Sequence, residues 1–173
     1  DKRKIDIANV GLEIAEGDIY KPETVEKAIE GQEAIISALG GKVFSGPLVC
    51  RDGIKTILPA MKKHGVKRLI AISAFGASEH RDFSPYTKLL RLTIPLPMHD
   101  KDEMEALIVA SSVDWTIVRP AAYTDFWQKK GYSPAEVLAA PYPIVTRSGV
   151  AACLIDQLKD SAHIRKAIAV EAG

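Results

Sequence analysis

The sequence is poor in the features that mark several large classes of protein. It has only two cysteines in 173 residues, Cys50 and Cys153, and they lie far apart, so no disulfide framework is predicted. Each lies in an apolar helical context, where a free buried thiol is the common outcome, and a reducing, cytoplasmic setting fits. No apolar run approaches the roughly 20 residues that span a bilayer, and no signal peptide is recognisable at the N-terminus.

Excess charge of either sign is also missing. Lys and Arg total 23 against 22 for Asp and Glu, a formal net charge of +1, which gives no electrostatic case for binding nucleic acid or an anionic membrane. A small-molecule substrate or a protein partner is expected instead. The length suits one domain spanning 1–173. No metal site is expected, because metal-ligand spacing is absent from the histidines, which are His64, His80, His99 and His163.

What the chain does have is a regular alternation of apolar and amphipathic segments. Strands are predicted over 11–19, 33–41, 67–75, 114–120 and 165–173, and helices over 21–32, 47–64, 98–111 and 148–160. A loop is expected from Gly76 to Pro97, and Asp100 and Glu103 have the spacing of a capping box at the start of the third helix. The alternation predicts an α/β fold, a doubly wound parallel sheet whose ligands bind beyond the carboxyl ends of its strands.

Four stretches in this order resemble one family. They are AEGDIYKPETVEKAIEGQEAIISALGG, GIKTILPAMKKHGVKRLIAISAFGA, DKDEMEALIVASSVDWTIVRPAAYTD and TRSGVAACLIDQLKD. Together they are similar to the atypical, NmrA-like branch of the short-chain dehydrogenase/reductase superfamily, above all to its small members of the biliverdin reductase B and flavin reductase type. The resemblance extends from Gly11 to Gly173 and implies a Rossmann-like NAD(P)-binding domain.

The resemblance implies where the adenosine half of the cofactor binds. Asp18 corresponds to a carboxylate beside the adenine amine, and Ile19 to the apolar wall of that pocket. Local sequence alone equally fits a turn at Asp18. The run Ala38, Leu39 and Gly40 matches the small residues that let the backbone approach the ribose and pyrophosphate. Arg3, between Lys2 and Lys4, stands where the family often binds a 2′-phosphate, so NADP(H) is favoured over NAD(H), although a plain charged tail explains these residues as well.

On the nicotinamide side the resemblance implies a second group of residues. Ser73 matches the serine that many family members direct at the substrate carbonyl, although such a serine often bonds only to nearby backbone. After the next strand, Pro120, Ala121 and Ala122 are expected to line the nicotinamide pocket. Arg119 is expected to anchor the strand end.

The catalytic tyrosine and lysine of the superfamily are only half present. Lys101 and Glu105 match the lysine and a following glutamate, but Pro97 stands four residues before Lys101, where the tyrosine belongs. Lys101 is therefore expected to hold the nicotinamide ribose, or else to form an ordinary surface salt bridge with Glu105. Tyr86 either replaces the missing tyrosine or, as the simpler interpretation, covers the substrate pocket.

The predicted function is that of an NAD(P)H-dependent reductase. A bilin, flavin or quinone can accept a hydride directly and take its proton from solvent, so the missing tyrosine does not exclude turnover. Two other interpretations remain open: an NmrA-like regulator that binds the dinucleotide without turnover and signals through a protein partner, and a domain with a purely structural role, as in assembly subunits.

The first residues raise a separate expectation. In the strand order 3-2-1-4-5-6 of this fold, the predicted strand over 11–19 would be the third, so two strands should precede it. Asp1 is therefore interpreted as a cut, with roughly 35 to 45 residues, a βαβ length that includes the glycine-rich turn, missing before it. Direct pairing of 11–19 with 33–39 in a complete sheet would contradict this expectation.

Overall fold

The computed structural model describes residues 9–80, 84–123, 131–135 and 144–173. In chain order the elements are α1 (Pro22–Ile29), β1 (Ala34–Ser37), α2 (Val49–His64), β2 (Arg68–Ile72), α3 (Pro85–Thr93), α4 (Pro95–Val109), β3 (Asp114–Pro120), β4 (Ala122–Tyr123), β5 (Ser133–Ala135), β6 (Ile144–Val145), α5 (Arg147–Lys159) and β7 (Lys166–Glu171). A short 3-10 turn, Ser78–His80, lies between β2 and α3.

One sheet organises the molecule, with strand order β1-β2-β3-β7-β5. The pairs β1 with β2, β2 with β3 and β3 with β7 are parallel, and β5 joins the edge of β7 antiparallel. Strands β4 and β6 form a separate parallel pair, and the Ala172 amide, directly after β7, donates to the Ile144 carbonyl over 2.8 Å. The predicted α/β fold with a mostly parallel sheet is confirmed.

Helices cover both faces of this sheet, which makes it doubly wound. On one face a core forms between β2, β3 and helices α1, α2 and α4, with fully buried side chains that include Ile54, Met61, Leu69, Met104, Ile108 and Ile117. On the other face, α5 contributes Val150, Cys153 and Leu154 to a buried cluster. The sheet contributes Ile70, Val118 and Ile168 to the same cluster. Each face is thus shielded from water by its own apolar cluster.

Both cysteines lie in these cores as free thiols, Cys50 on the α2 face and Cys153 on the α5 face. Burial raises the pKa of the Cys153 thiol to about 12, and it also raises the pKa of Cys50. Both side chains are therefore protonated at neutral pH. The expectation of buried free thiols is confirmed.

The strand predicted over 11–19 does not form. These residues have no strand pairing and are not joined to β1, which is an edge strand among the described residues. Most of them are exposed, and their end is fixed by a turn in which the Asp18 amide donates to the Thr24 hydroxyl over 3.0 Å. The prediction is wrong because an extended segment becomes a strand only where a neighbouring strand pairs with its backbone groups.

The predicted loop from Gly76 to Pro97 contains helix α3. Pro85 opens this helix, where no backbone N–H is needed, and Ser84 and Thr87 form a reciprocal capping box. The sequence analysis assigned this segment as loop and did not recognise the Ser84, Pro85 and Thr87 cap that starts the helix. The exposed side of α3 is apolar, with Leu89 61% and Leu92 78% exposed.

Helix α4 begins five residues before the predicted cap, so the capping box of Asp100 and Glu103 is wrong. Pro95 takes the first helical position and Asp100 lies inside the helix, only 3% exposed. Its carboxylate instead caps α2, accepting the amides of Cys50 over 3.0 Å and of Arg51 over 2.9 Å. The two partners are about 50 residues apart in sequence, and local spacing cannot reveal such a contact.

We predict that Asp100→Ala lowers the free energy of unfolding by about 2 kcal/mol, because two amides at the start of α2 lose their shared acceptor. Asp100→Asn keeps one carbonyl oxygen and should lose less. Urea unfolding followed by circular dichroism measures both values. The control is Glu103→Ala, an exposed residue of the same helix, with a change within about 0.5 kcal/mol. Equal losses for Asp100→Ala and Glu103→Ala would contradict the role assigned to the buried carboxylate.

Candidate functional site

The carboxyl ends of β1 and β2 are held together by Lys101 of α4. Its ammonium donates to the Leu39 carbonyl just after β1 over 3.0 Å and to the Ile72 carbonyl at the end of β2 over 2.7 Å. The Leu39 carbonyl also accepts a hydrogen bond from the Cys50 thiol of α2, over 3.2 Å. Lys101 therefore fixes the spacing between the two strand ends at the edge where open α/β sheets bind ligands.

Glu105, one turn further along α4, does not pair with Lys101. It is 1% exposed and binds Arg119 through both carboxylate oxygens, at 3.0 Å from Nε and 2.5 Å from Nη2. The same guanidinium donates to both carboxylate oxygens of Glu79, over 2.5 Å from Nη1 and 2.8 Å from Nη2. Burial by itself lowers the pKa of Arg119. The hydrogen bonds that Arg119 donates to Glu79 and Glu105 outweigh the effect of burial and raise that pKa above its usual value. The surface salt bridge between Lys101 and Glu105 is thus wrong, and Arg119 anchors the end of β3 as expected.

The chain after β2 is tied to α3 and α4 by a second set of polar contacts. The Ser78 hydroxyl lies 2.6 Å from Glu105, and its amide donates to Asp102 over 2.7 Å. Arg91 of α3 reaches Asp102 at 2.6 Å and also donates to the Gly76 carbonyl over 3.1 Å. These bonds hold the loop that begins at Ser73 in one position relative to the sheet.

Two buried serine hydroxyls lie at this carboxyl edge. Ser37 ends β1 and Ser73 follows β2, and they are 4% and 3% exposed. The Ser73 amide continues the sheet by donating to the Val118 carbonyl over 2.8 Å. Neither hydroxyl has a hydrogen-bond partner among the described residues. A buried unpaired hydroxyl is costly, so both positions are suited to a ligand that brings its own polar atoms.

The residues predicted for the adenine pocket border a small cavity. Its volume is about 370 Å³, and its lining includes Ala15, Gly17, Asp18, Ile19, Ala34, Ile35 and Ile36. One oxygen of the exposed Asp18 carboxylate accepts the Tyr20 amide over 3.0 Å, which is the turn interaction that local sequence also fitted. The Ile19 carbonyl accepts the Thr56 hydroxyl of α2 over 2.9 Å, so α2 carries this wall of the cavity.

Gly53 of α2 brings Ile19 and Leu39 to the same place. A Cβ at Gly53 would lie 2.2 Å from Leu39 Cδ1 and 3.7 Å from Ile19 Cγ2, so any larger residue would displace the Leu39 side chain. Two residues assigned to the cofactor from distant parts of the sequence thus lie beside the same helix. Gly53 had no motif of its own in the sequence, because a glycine within a helix does not reveal what approaches it.

Gly40 faces open space. A Cβ placed there would meet no atom within 4 Å, whereas one at Gly41 would meet Asp100, Pro47 and Val49 at 3.6 to 3.7 Å. Of the two residues before Gly40, Ala38 is exposed and Leu39 is half-buried. The glycine at 40 is therefore not required by the protein's own packing, and it leaves room for a group to approach the backbone.

The residues predicted near the nicotinamide are divided between core and surface. Pro120 and Ala121 are buried, with the Pro120 carbonyl accepting the Phe75 amide over 3.0 Å, and only Ala122 is exposed. Tyr86 of α3 is half-buried against the core on the α5 face. Burial raises the pKa of its hydroxyl, and the nearby backbone of Ala122 opposes that rise. Tyr86 therefore lies close to the predicted nicotinamide side, and Arg3 lies outside the described residues.

A larger cleft lies on the side of the sheet that α4 covers. It measures about 960 Å³ and runs beside α4 over β3 and β7, with Trp115, Ile117 and Ala167 among its lining residues. Three acidic side chains of its lining already bind arginines: Glu79 and Glu105 bind Arg119, and Asp102 binds Arg91. Among the described residues no group of three or more His, Cys, Asp or Glu side chains is placed to hold a metal ion, and no helix is long and apolar enough to cross a bilayer.

A mostly parallel sheet with helices on both faces, which binds ligands beyond the carboxyl ends of its strands, is the architecture of Rossmann-like NAD(P)-binding domains. The chain belongs to the NAD(P)H-binding family, whose sequence model matches residues 1–161. The NAD(P)-binding domain that the resemblance implied is thereby confirmed.

Known proteins share this fold. The oxidoreductase YlbE from Lactococcus lactis has a TM-score of 0.75 at 22% identity, over 91% of this chain and 70% of that protein. ChuY, an anaerobilin reductase from Escherichia coli O157:H7, has a TM-score of 0.71 at 20% identity, over 90% of this chain and 73% of that protein. The photosystem II assembly factor Ycf39 from Synechocystis is 28% identical over 116 residues, which is 65% of this chain but only 32% of that protein. The chain thus spans about a third of the length of this curated relative.

We predict that Lys101→Met lowers the free energy of unfolding by about 2 kcal/mol, because the carbonyls after β1 and β2 lose a charged donor. Lys55→Met serves as the control, since Lys55 is an exposed lysine of α2, and its effect should stay within about 0.5 kcal/mol. Chemical unfolding gives both values. If the two variants were equally stable, the assigned hold on the strand ends would be wrong.

Proposed function

We propose that this protein is an NAD(P)H-dependent reductase that transfers a hydride directly to a conjugated acceptor such as a flavin, bilin or quinone. The observation that carries the proposal is the open carboxyl edge, where Gly40 leaves space at the backbone and the Ser37 and Ser73 hydroxyls are buried without partners among the described residues. These features suit a ligand with a close backbone approach and several polar atoms. Membership of the NAD(P)H-binding family identifies the ligand class.

In this proposal the residues that follow each strand bind different parts of the cofactor. Ile19 and Leu39, which both lie beside Gly53, would hold the adenosine half with Asp18, and Gly40 would admit the ribose and pyrophosphate. Ser73 and Ala122 would lie on the nicotinamide side. The bound nicotinamide supplies the hydride. The buried Ser73 hydroxyl is suited to donate a hydrogen bond to an acceptor oxygen as negative charge develops there.

Two residues of α4 favour direct hydride transfer over the usual tyrosine mechanism. Pro97 occupies the tyrosine position, and the Lys101 ammonium is engaged by two backbone carbonyls. No proton donor of the usual pair is therefore present on this helix. A flavin or bilin tolerates this loss, because its conjugated system stabilises the charge while solvent provides the proton. A cytoplasmic location, consistent with the free thiols, is part of the proposal.

We predict that Gly40→Val weakens NADPH binding by roughly tenfold or more without loss of stability, because the added side chain fills space that the protein itself leaves open. Gly40→Ala should have a smaller effect. The control is Gly41→Ala, whose Cβ contacts the protein at ordinary distances. Fluorescence titration with NADPH and a thermal unfolding curve for each variant provide the two readouts. Unchanged NADPH affinity in Gly40→Val would contradict the assignment of this edge.

We further predict tighter binding of NADPH than of NADH, from the basic residues around Arg3 that match the 2′-phosphate site of the family. Titration of the protein with each nucleotide, followed by fluorescence, measures the two affinities. Equal affinities for the two nucleotides, or tighter binding of NADH, would contradict the assignment of NADP(H) as the cofactor.

A second candidate function is a redox-sensing regulator that binds the dinucleotide without turnover and acts through a protein partner. The engaged Lys101 and the proline at position 97 favour it as much as they favour direct hydride transfer. Steady-state oxidation of NADPH with flavins, quinones and bilins separates the two. Turnover with one acceptor supports the reductase, and tight NADPH binding without turnover across the panel supports the regulator. Absence of any nucleotide binding would instead favour a structural role, for which the similarity to an assembly factor is the available support.

A further inference from the structure

The cleft on the α4 side of the sheet contains none of the residues assigned to the cofactor. Its floor is apolar and is formed by Trp115 and Ile117 of β3 and Ala167 of β7, and Ala106 and Ala110 lie on the α4 wall. Because three of these five side chains are single methyl groups, the cleft stays open between the helix and the sheet. Its volume of about 960 Å³ matches that of pockets that hold small molecules, roughly 300 to 1,000 Å³.

Arg165 is the cation of this cleft that is available to a ligand. The other arginine of the lining, Arg119, is buried and binds Glu79 and Glu105. Arg165 is exposed, and its side chain has no hydrogen-bond or ion-pair partner among the described residues. Its amide donates to the Trp115 carbonyl over 2.6 Å, which fixes the residue beside the apolar floor. The cleft thus combines an apolar surface with an unpaired positive charge.

The backbone of Arg165 has a conformation that arginine rarely adopts. Its φ of 59° lies in the left-handed region, which glycine occupies without steric cost. Among the described residues, the other non-glycine residue with a positive φ is Ser78, at 50°, and it lines the same cleft. Ser78 is held there by bonds to Asp102 and Glu105, whereas the Arg165 side chain makes no such bond within the described chain. Backbone strain of this kind concentrates at functional sites, so the arginine at this turn is expected to have a role for its side chain.

The other charges of the lining decide which anion fits beside Arg165. Four carboxylates also line the cleft, namely those of Glu79, Asp102, Glu103 and Glu105. A phosphate group carries a charge of about −1.5 to −2 at neutral pH, so these carboxylates repel it more strongly than they repel a single carboxylate. A guanidinium binds a carboxylate through two parallel hydrogen bonds. The Trp115 indole N–H is buried without a partner among the described residues, which also suits a ligand with acceptor oxygens.

We infer that this cleft is a second ligand site, separate from the dinucleotide edge, and that it binds an amphipathic monocarboxylate. The apolar body of the ligand lies on the floor formed by Trp115, Ile117 and Ala167, and its carboxylate pairs with the Arg165 guanidinium. A neutral analogue with the same body binds more weakly, because it lacks the charge that Arg165 contacts. The site does not depend on the proposed reductase activity, since it shares none of the residues assigned to the cofactor.

Two matched ligand pairs test this site by nuclear magnetic resonance of the isotope-labelled protein. They are naphthoate with naphthalenemethanol and octanoate with octanol, each an anion and a neutral analogue with a similar apolar body. We expect at least one carboxylate, at millimolar concentrations, to shift the amide signals of Ala110 and Ala167 and the indole N–H signal of Trp115. That carboxylate should bind roughly tenfold more tightly than its neutral analogue. The pair with the stronger response identifies the apolar body as aromatic or alkyl.

The variants then assign the binding to its residues. Arg165→Met should weaken carboxylate binding roughly tenfold and leave the neutral analogue unchanged, and Arg165→Lys should give an intermediate loss because it keeps the charge without the paired N–H groups. Ala106→Leu narrows the cleft and should weaken both members of the pair. The control is Lys166→Met, which removes the neighbouring exposed cation that does not line the cleft, and it should change neither affinity. A thermal unfolding curve for each variant shows that it is folded.

The outcomes separate this site from the proposed function. The inference is overturned if no carboxylate shifts the cleft signals, if both members of each pair bind equally, or if carboxylate binding is unchanged in Arg165→Met. Saturating NADPH should not displace the carboxylate, and displacement would mean that the probe occupies the dinucleotide edge, which also overturns the inference. If the protein binds no NADPH, the proposed function fails, while the carboxylate shifts at the cleft are still expected.

Discussion

The candidate site depends on two neighbouring residues of α4, Asp100 and Lys101, which bind backbone groups of three other elements. Asp100 accepts two amides at the start of α2, and Lys101 donates to the carbonyls after β1 and at the end of β2. One turn of one helix thereby fixes where two parallel strands end and where the next helix begins. Because the paired groups are charged and half to fully buried, their hydrogen bonds are stronger than neutral ones, and removing either partner leaves backbone groups unsatisfied.

This arrangement changes the chemistry expected of the helix. In a superfamily reductase the lysine works with a tyrosine one turn earlier, but here Pro97 stands in the tyrosine position and begins no proton relay. The Lys101 ammonium is committed to the sheet, and Glu105 is committed to Arg119. In the proposed reductase, the residues at this edge contribute by position: an open backbone at Gly40 and a buried hydroxyl at Ser73. Such a site suits an acceptor that receives a hydride without help from a side-chain acid.

The sequence predicted the parts of the molecule that local pattern governs. Apolar runs closed by glycine or proline, such as 33–41 and 114–120, became strands β1 and β3. The prediction is wrong for 11–19, because a local pattern does not show whether a neighbouring strand is there to pair with. It is also wrong for α3, because the Ser84, Pro85 and Thr87 cap was not recognised. Contacts between residues distant in sequence, such as Asp100 with Cys50, were beyond local spacing. Ser37 was within reach, since it ends a strand as Ser73 follows one.

The central claim is that a nicotinamide dinucleotide binds across the carboxyl ends of β1, β2 and β3. The most direct measurement is the change in backbone amide chemical shifts of the isotope-labelled protein when NADPH is added. The account predicts that the largest changes occur at Gly40, Ser73 and Ala122, at the ends of three strands that are distant in sequence. Changes confined to the cleft beside α4, at residues such as Ala110 and Ala167, or no changes at all, would contradict it.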